Sequence, residues 1–410
     1  MAVLIRSDAT PLFAAAVPER TTGAQGWLIG ILFASIFLQR FAVPVGQFGI
    51  GFNLCVTLAG LGVLAWRGAL ALDPARTVAA CAFAAIAWLT SLLNPLTASP
   101  GSLGLVMAFY LPFALSLRRP GECFRHCIAA FQTMVLVCAG CGIAQFLAQF
   151  MVPAQYLFTF RGLLPDPILL GGISDMLPLA WGASLYRSNG FFFVEPSTCS
   201  QYMALAIVFE LLFRGTTWRL PVYAVALAVT YSGTGLILLI LMLPWVLLHR
   251  RAFRAIGLLF LLLLVAVGFS DAWNMDTLLV RSGEFGEDGS SATARFVAPA
   301  WLLGETLFTR LPDLLFGFGP GSFLALASKA AHETHDPVWA KLLFEYGLVG
   351  TAMFVPLYVL AVFKGAPNRW VSTALTIGFL SFGGTMLDPR LHALLLVFCV
   401  LPKPPAGALA

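Results

Sequence analysis

Residues 220–248, LPVYAVALAVTYSGTGLILLILMLPWVLL, run from Arg219 to His249 without one charged side chain between them. A helix rises about 1.5 Å per residue, so crossing about 30 Å of hydrocarbon takes about 20 apolar residues. The stretch is too long for one crossing, and Tyr231-Ser-Gly-Thr-Gly235 divides it with small residues. It reads as two helical segments, 219–232 and 235–249, joined by a short turn whose small side chains let the helices approach closely.

The same reading extends across the chain. Of 410 residues, 59% are hydrophobic and 10% are charged, and the mean hydropathy is +0.88. Soluble domains carry about 25% charged residues, so this chain lacks the polar surface that water requires. The composition points to an all-α polytopic membrane protein, and no nucleic-acid partner is expected. Apolar windows lie at 26–44, 49–66, 77–94, 102–118, 127–150, 199–213, 219–232, 235–249, 254–270, 340–363, 371–386 and 390–402. They predict about 12 transmembrane helices, within a range of 10–12.

Basic residues collect in the cytoplasmic connections of such proteins. With the N-terminus inside, the even-numbered connections hold Arg67, Arg76, Arg118, Arg119, Arg125, Arg214, Arg219, Arg250, Arg251, Arg254, Lys364 and Arg369. Arg6, Arg20 and Lys403 in the termini bring this to 15 of the 24 Lys and Arg residues. Three short odd connections hold little: Arg40 in the first, and no basic residue at 95–101 or near Ser232. The pattern predicts a multi-pass chain, N-in and C-in; in a bacterium that membrane would be the inner one. Residues 1–25 and 403–410 are then cytoplasmic tails, and the first 20 residues lack the apolar core of a secretory signal. Segments 26–150, 199–270 and 340–402 hold helices 1–5, 6–9 and 10–12. The eight cysteines fall almost entirely in spans or on the cytoplasmic side. The Cys138-Ala-Gly-Cys141 run has redox spacing but reads as small packing residues inside an apolar helix.

Two long segments break the helical pattern, at 151–198 and 271–339. The charge-derived topology makes both periplasmic loops, and their aromatic, Gly and Pro content predicts that they fold back onto the bundle. Within the second, one helix is expected from Ser290 to about Phe308, capped by Ser290 or Ser291. Gly317-Phe-Gly-Pro-Gly-Ser322 reads as a turn that permits tight backbone geometry, without the strand–turn–helix logic of a dinucleotide loop.

Ionisable groups of the outer face cluster in these loops: Arg161, Asp166, Asp175, Arg187 and Glu195, then Arg281, Arg295, Arg310, His332 and His335. Arg187 and Arg295 adjoin apolar helices, where an unpaired charge is costly, so each needs a partner. That partner is an internal carboxylate, such as Glu195 for Arg187, a lipid headgroup, or a bound anion that matches the guanidinium fork. His332 and His335 stand before the tenth span, where a histidine titrating near neutrality serves as a surface group, a proton acceptor or a metal ligand. Asp388 and Arg390 read as a local ion pair. The three phenylalanines of Arg187-Ser-Asn-Gly-Phe-Phe-Phe-Val-Glu-Pro-Ser-Thr198 are expected to anchor the loop beside lipid.

In order, these blocks resemble the O-antigen ligase and polysaccharide polymerase superfamily. The matching residues are R-x-x-G-x-F-x-E-P-S at Arg187–Ser197 with one extra Phe, and S-G-T-G at 232–235. They continue with S-x-x-x-R before G-x-G-x-G-x-F at 291–323, then His335 followed by L-x-x-E-x-G-x-x-G ending at Gly350. The resemblance covers roughly 187–350; the first 150 residues match only as generic spans. One departure stands out: the family commonly has His-Asn in the last block, where this chain has His335-Asp336-Pro337.

What the resemblance implies is a bundle of the integral-membrane glycosyltransferase (GT-C-like) type. Its substrates are a polyprenyl-diphosphate-linked oligosaccharide donor and an acceptor sugar hydroxyl, with no cofactor and no metal. Carried onto this chain, Arg187 and Arg295 hold the diphosphate and His335 orients or deprotonates the acceptor. Glu195, Arg281, His332 and Asp336 are the accompanying substrate-binding candidates. The implied activity is polymerisation of lipid-linked repeat units into an exopolysaccharide, capsule or O-antigen. The alternatives are a ligase acting on lipid A-core or protein, and a transporter of polysaccharide or lipid-linked sugar. Membrane lipids, a chain-length regulator and a flippase are the implied partners.

Overall fold

A computed structural model describes residues 23–45, 48–171, 175–179, 183–250, 291–329, 334–381 and 385–402. The first helices are α1 (Gly23–Phe37), α2 (Phe52–Trp66), α3 (Pro74–Leu93), α4 (Pro100–Tyr110) and α5 (Cys123–Ala148). Then come the short α6 (Ala154–Phe158), α7 (Pro196–Phe213), α8 (Arg219–Ala228) and α9 (Gly233–Arg250). Later helices span Val338–Val362, Arg369–Ser381 and Pro389–Leu395, the last continuing as a π turn over Leu396–Val400. Each apolar window predicted above overlaps one of these helices, except 254–270, which lies outside the described residues; windows 26–44 and 102–118 run seven and eight residues past the ends of α1 and α4. The molecule is therefore mostly helical. Among the described residues three helices, Pro74–Leu93, Cys123–Ala148 and Val338–Val362, are long and apolar enough to cross a membrane, and six shorter apolar helices accompany them.

Local chemistry sets many helix starts. Asp73 accepts from the Ala75 and Arg76 amides ahead of α3, and Ser99 accepts from Ser102 ahead of α4. Both are followed by Pro at the first helical position, where its missing N–H is not needed. The helix expected over 290–308 is instead two pieces, Ser291–Phe296 and Ala298–Thr306. The second starts beside Pro299, whose ring cannot continue the preceding helical ladder.

α7 lies at the centre, with 15 of its 18 residues buried. It is apolar nearly all round, as a helix enclosed by other helices must be. Its closest neighbour is α9, and the small residues of 232–235 explain the approach. A Cβ on Gly235 would stand 2.4 Å from the Ser200 carbonyl oxygen, while Thr234 Oγ1 is 2.9 Å from Ser200 Oγ.

Two small two-stranded sheets mark the two ends of the bundle. β1 (Ala42–Val45) pairs antiparallel with β2 (Phe48–Gly51), between α1 and α2. β3 (Leu70–Leu72) pairs with β4 (Leu115–Leu117), joining the α2–α3 and α4–α5 connections at one end. At that end Leu117 N–H donates to Leu401 O and Arg76 to Val400 O. α3 leaves this end and finishes at Asn94, whose side chain donates to Gly317 O at the other. The last helix likewise runs from Arg390, bonded to Thr198, down to Val400 at the β3–β4 end. Among the described residues, the α1–α2, α3–α4 and α8–α9 connections thus share one end, called the loop end here, and the α2–α3 and α4–α5 connections share the opposite end.

Both long segments fold back onto the loop end where they are described. Phe41 bridges to Leu169, and Leu170 N–H donates to Arg40 O. Residues 317–320 lie along 94–99, with Thr97 Oγ1 donating to Phe318 O and Ser99 N–H to Pro320 O.

Candidate functional site

The segment 187–198 is pinned by side chains that hydropathy does not reveal. Ser188 and Asn189 are fully buried. Gln145 of α5 holds both: its Oε1 accepts from Ser188 Oγ and the Asn189 amide, and its Nε2 donates to Asn189 Oδ1. Asn189 then accepts from the Phe191 amide and donates to Asp175 O. The chain turns at Gly190 and Phe191, both with positive φ (62° and 70°). A Cβ at Gly190 would sit 3.0 Å from Cys199 Sγ, so glycine is needed both for φ and for the close approach.

Arg40 clamps this turn from the α1–α2 connection. It donates to Phe191 O (3.0 Å), to Phe158 O (2.8 Å) and to Asp175 Oδ2 (2.6 Å), and it lies 4.6 Å over the Phe160 ring. Burial draws its pKa below the ordinary guanidinium value, and the Asp175 charge and hydrogen bond oppose that shift. The phenylalanines do not all face lipid as expected. Phe193 is fully buried against Tyr202, while Phe191 meets Phe160 and Phe192 meets Phe37.

Arg187 stands at the start of this turn. Its amide donates to Leu177 O and its Nη2 to Leu179 O, which ties the guanidinium to the first loop. Glu195 is the N-cap residue of α7, and Ser197 Oγ donates to its Oε2. Beside it, Arg390 donates to Asp388 through Nε and Nη2 and to Thr198 Oγ1 through Nη1, and Asp388 caps the last helix. The expected Asp388–Arg390 pair is therefore present. Thr198, Gln201, Tyr202, Asp388 and Arg390 line the polar side of a cleft between α7 and the last two helices, and leucines line the rest.

The second group forms around residues 291–347. His335 N–H donates to Ala294 O at 2.9 Å, bringing His335 against the short helix that carries Arg295. Forty residues separate these positions in sequence; the fold joins them directly. Arg281 and His332 lie outside the described residues. Asp336 points to the helix that follows, with its Oδ2 2.8 Å from Lys341 Nζ. Lys341 also lies 3.8 Å from Glu345 Oε1, and Lys341 and Glu345 are 1% and 0% exposed. Among the described residues no three His, Cys, Asp or Glu side chains gather as a metal site.

Glycines decide the rest of this region. The Val338–Val362 helix is broken at Gly347, where φ is 64°. The break exposes the carbonyls of Phe344 and Glu345, which accept from the Phe318 and Gly319 amides, both at 2.9 Å. Gly317, Gly319 and Gly321 all have positive φ. A Cβ on Gly317 would meet Phe344 O at 2.6 Å, and one on Gly347 would meet Leu315 O at 2.4 Å. The G-x-G-x-G turn and the E-x-G break are thus two halves of one close backbone contact. Neither half explains its glycines alone.

Lys341, Arg40 and Gln145 are the residues that sequence reasoning missed as part of this architecture. A lysine inside an apolar window was the available signal for Lys341, because a charge there requires a partner. Arg40 and Gln145 carried no comparable signal. No protein-family model matches the chain, and a search of curated proteins returns no match.

Proposed function

We propose that this protein is a membrane glycosyltransferase that polymerises lipid-linked oligosaccharide repeat units. In this reading the bundle crosses a bacterial inner membrane about 12 times, N-in and C-in, with the loop end facing the periplasm. The observation that carries the reading is the hydrogen bond from the His335 amide to Ala294 O, which joins a proton acceptor to the helix of an arginine. Arg187 belongs to the same end of the bundle, through the turn held by Arg40 and Gln145.

The chemistry follows from these residue types. An acceptor-sugar hydroxyl oxygen attacks the anomeric carbon of the donor, forming a glycosidic C–O bond. The bond from that carbon to the diphosphate breaks, and polyprenyl diphosphate leaves with the electron pair. Arg187 and Arg295 stabilise the charge that grows on the leaving diphosphate, since a guanidinium fork matches phosphate oxygens and stays cationic. His335 takes the hydroxyl proton. The donor's tail remains in lipid while its phosphates reach the loop end.

A transporter would call for an ion or substrate site at a helix break near mid-membrane. The break at Gly347 argues against that use. Its freed Phe344 and Glu345 carbonyls already accept from backbone amides of the glycine turn.

The test is reconstitution. Purified protein given only lipid-linked repeat units is expected to yield a ladder of products. Transfer that occurs only when lipid A-core or a protein acceptor is added would replace polymerase with ligase. Intact polymer formation in cells carrying Arg187→Ala, Arg295→Ala and His335→Ala, each assayed separately, would overturn the enzyme reading.

A further inference from the structure

Asp336 stands where the resembling family has an asparagine, and its carboxylate is directed away from the loop into the next helix. There it meets Lys341, whose side chain is 1% exposed. An ammonium buried in an apolar helix is tolerated only when opposite charge compensates it. Lys341 has two such neighbours: Asp336 at 2.8 Å and Glu345, one turn further on, at 3.8 Å. Glu345 belongs to the break that holds the glycine turn, through its carbonyl and the Gly319 amide. On the other side, the residue preceding Asp336 is His335, whose amide is bonded to the Arg295 helix.

From this arrangement we propose that Lys341 is a positioning residue for His335, acting through Asp336. The dipeptide His335-Asp336 is held at two points: its main chain on Ala294, and its side-chain carboxylate on Lys341. A peptide unit fixed at both ends has little freedom to rotate, so the ion pair helps set the direction in which the His335 side chain leaves the backbone. Lys341 serves both carboxylates at once. Without it, Asp336 and Glu345 would face the same buried space with like charge, which each disfavours. Asp336 on this account is a structural anchor and not a substrate ligand. The proposal rests on the functional reading above for the role of His335, but its geometry can be tested without substrate.

The experiment uses full-length protein in detergent and diethyl pyrocarbonate, with carbethoxylation of each histidine followed by mass spectrometry. Exposed His126, far from the loop end, is the internal reference. Two variants separate positioning from simple loss of fold. Asp336→Asn releases the anchor while leaving Lys341 beside Glu345. Lys341→Met with Glu345→Gln removes the buried lysine without leaving two carboxylates facing each other. Both are expected to raise the modification rate of His335 several-fold relative to His126, with a cooperative thermal transition retained. Polymer formation is expected to fall by about 10- to 100-fold in kcat with KM nearly unchanged, as a displaced catalytic group does. An Asp336→Glu variant, which keeps the charge, is expected to recover part of the rate. Unchanged His335 reactivity in both variants would overturn the proposal, as would a loss of activity expressed only in KM. If reactivity rises but wild-type protein forms no polymer, positioning stands and the glycosyltransferase reading falls.

Discussion

Arg40 donates to two backbone carbonyls and one carboxylate drawn from 118 to 151 positions away in sequence. Its side chain is 4% exposed, so the surrounding dielectric is low and its removal would leave the partly buried Asp175 without its cation. Arg40→Ala is expected to lower stability by about 3–5 kcal/mol, the usual outcome when one partner of a buried pair is deleted. Thermal unfolding in detergent measures it. The arginines proposed to hold the diphosphate call for a different substitution. Arg187→Lys and Arg295→Lys keep the charge but lose the planar fork. Each is expected to lower polymer formation by about 100-fold while leaving the unfolding midpoint nearly unchanged. A lysine variant with full activity would reduce that arginine to a simple ion-pair partner.

At the scale of an element, the broken helix Val338–Val362 shows how one glycine serves two segments. Gly347 has φ 64°, and an added Cβ would overlap Leu315 backbone atoms at 2.4 Å. Gly347→Ala therefore meets both strain and collision, and about 1–3 kcal/mol of strain alone is expected, before any steric shift. The shift would push Leu315 and the glycine turn away from Glu345, so activity is expected to fall as well. Gly304 provides the contrast. It lies inside the Ala298–Thr306 helix with nothing within 4 Å of a Cβ. Gly304→Ala is expected to stabilise by up to about 1 kcal/mol, as in any open helical site. Melting temperatures of the two variants should move in opposite directions.

For the molecule as a whole, the separation of the two ends is the feature on which the proposed function depends. At the end opposite the loops, buried Arg76 donates to Leu360 O (3.2 Å), Leu115 O (3.3 Å) and Val400 O (2.7 Å). It thereby satisfies carbonyls near the ends of two other helices, where cations are favoured. Arg76→Met is expected to cost about 3 kcal/mol or more, because buried acceptors lose their donor. Activity per folded molecule should persist, since Arg76 is remote from the loop end. Orientation has its own test. In a background without the eight native cysteines, Arg161→Cys and Lys364→Cys should react with an impermeant thiol reagent from opposite faces of sealed membranes. Labelling of both from one face would undo the alternating topology.

How much of this was legible in the sequence differs between helices and site. The apolar windows located the helices because the bilayer's demand is local: each crossing must be apolar along its own length, whatever it packs against. The same hydropathy placed charges in the loops, and Arg187, Arg295 and His335 stood out as residues that apolar surroundings must justify. Local partnership was legible for Asp388 with Arg390, but long-range partnership was not. Gln145 with Asn189, Arg40 with Asp175 and His335 with Ala294 join residues 41 to 135 positions apart, and no periodicity encodes such pairs. Asp336 illustrates the limit, since its residue type suggested a substrate contact and its geometry turns it toward Lys341. The glycines of 317–321 and Gly347 could each be read as turn residues, but only packing reveals that they face one another. Composition and hydropathy by themselves determined a helical, membrane-type chain with its polar chemistry gathered in two loops. Tertiary structure decided which polar groups meet, because a buried charge or carbonyl takes its partner from whichever element the packing brings within about 3 Å.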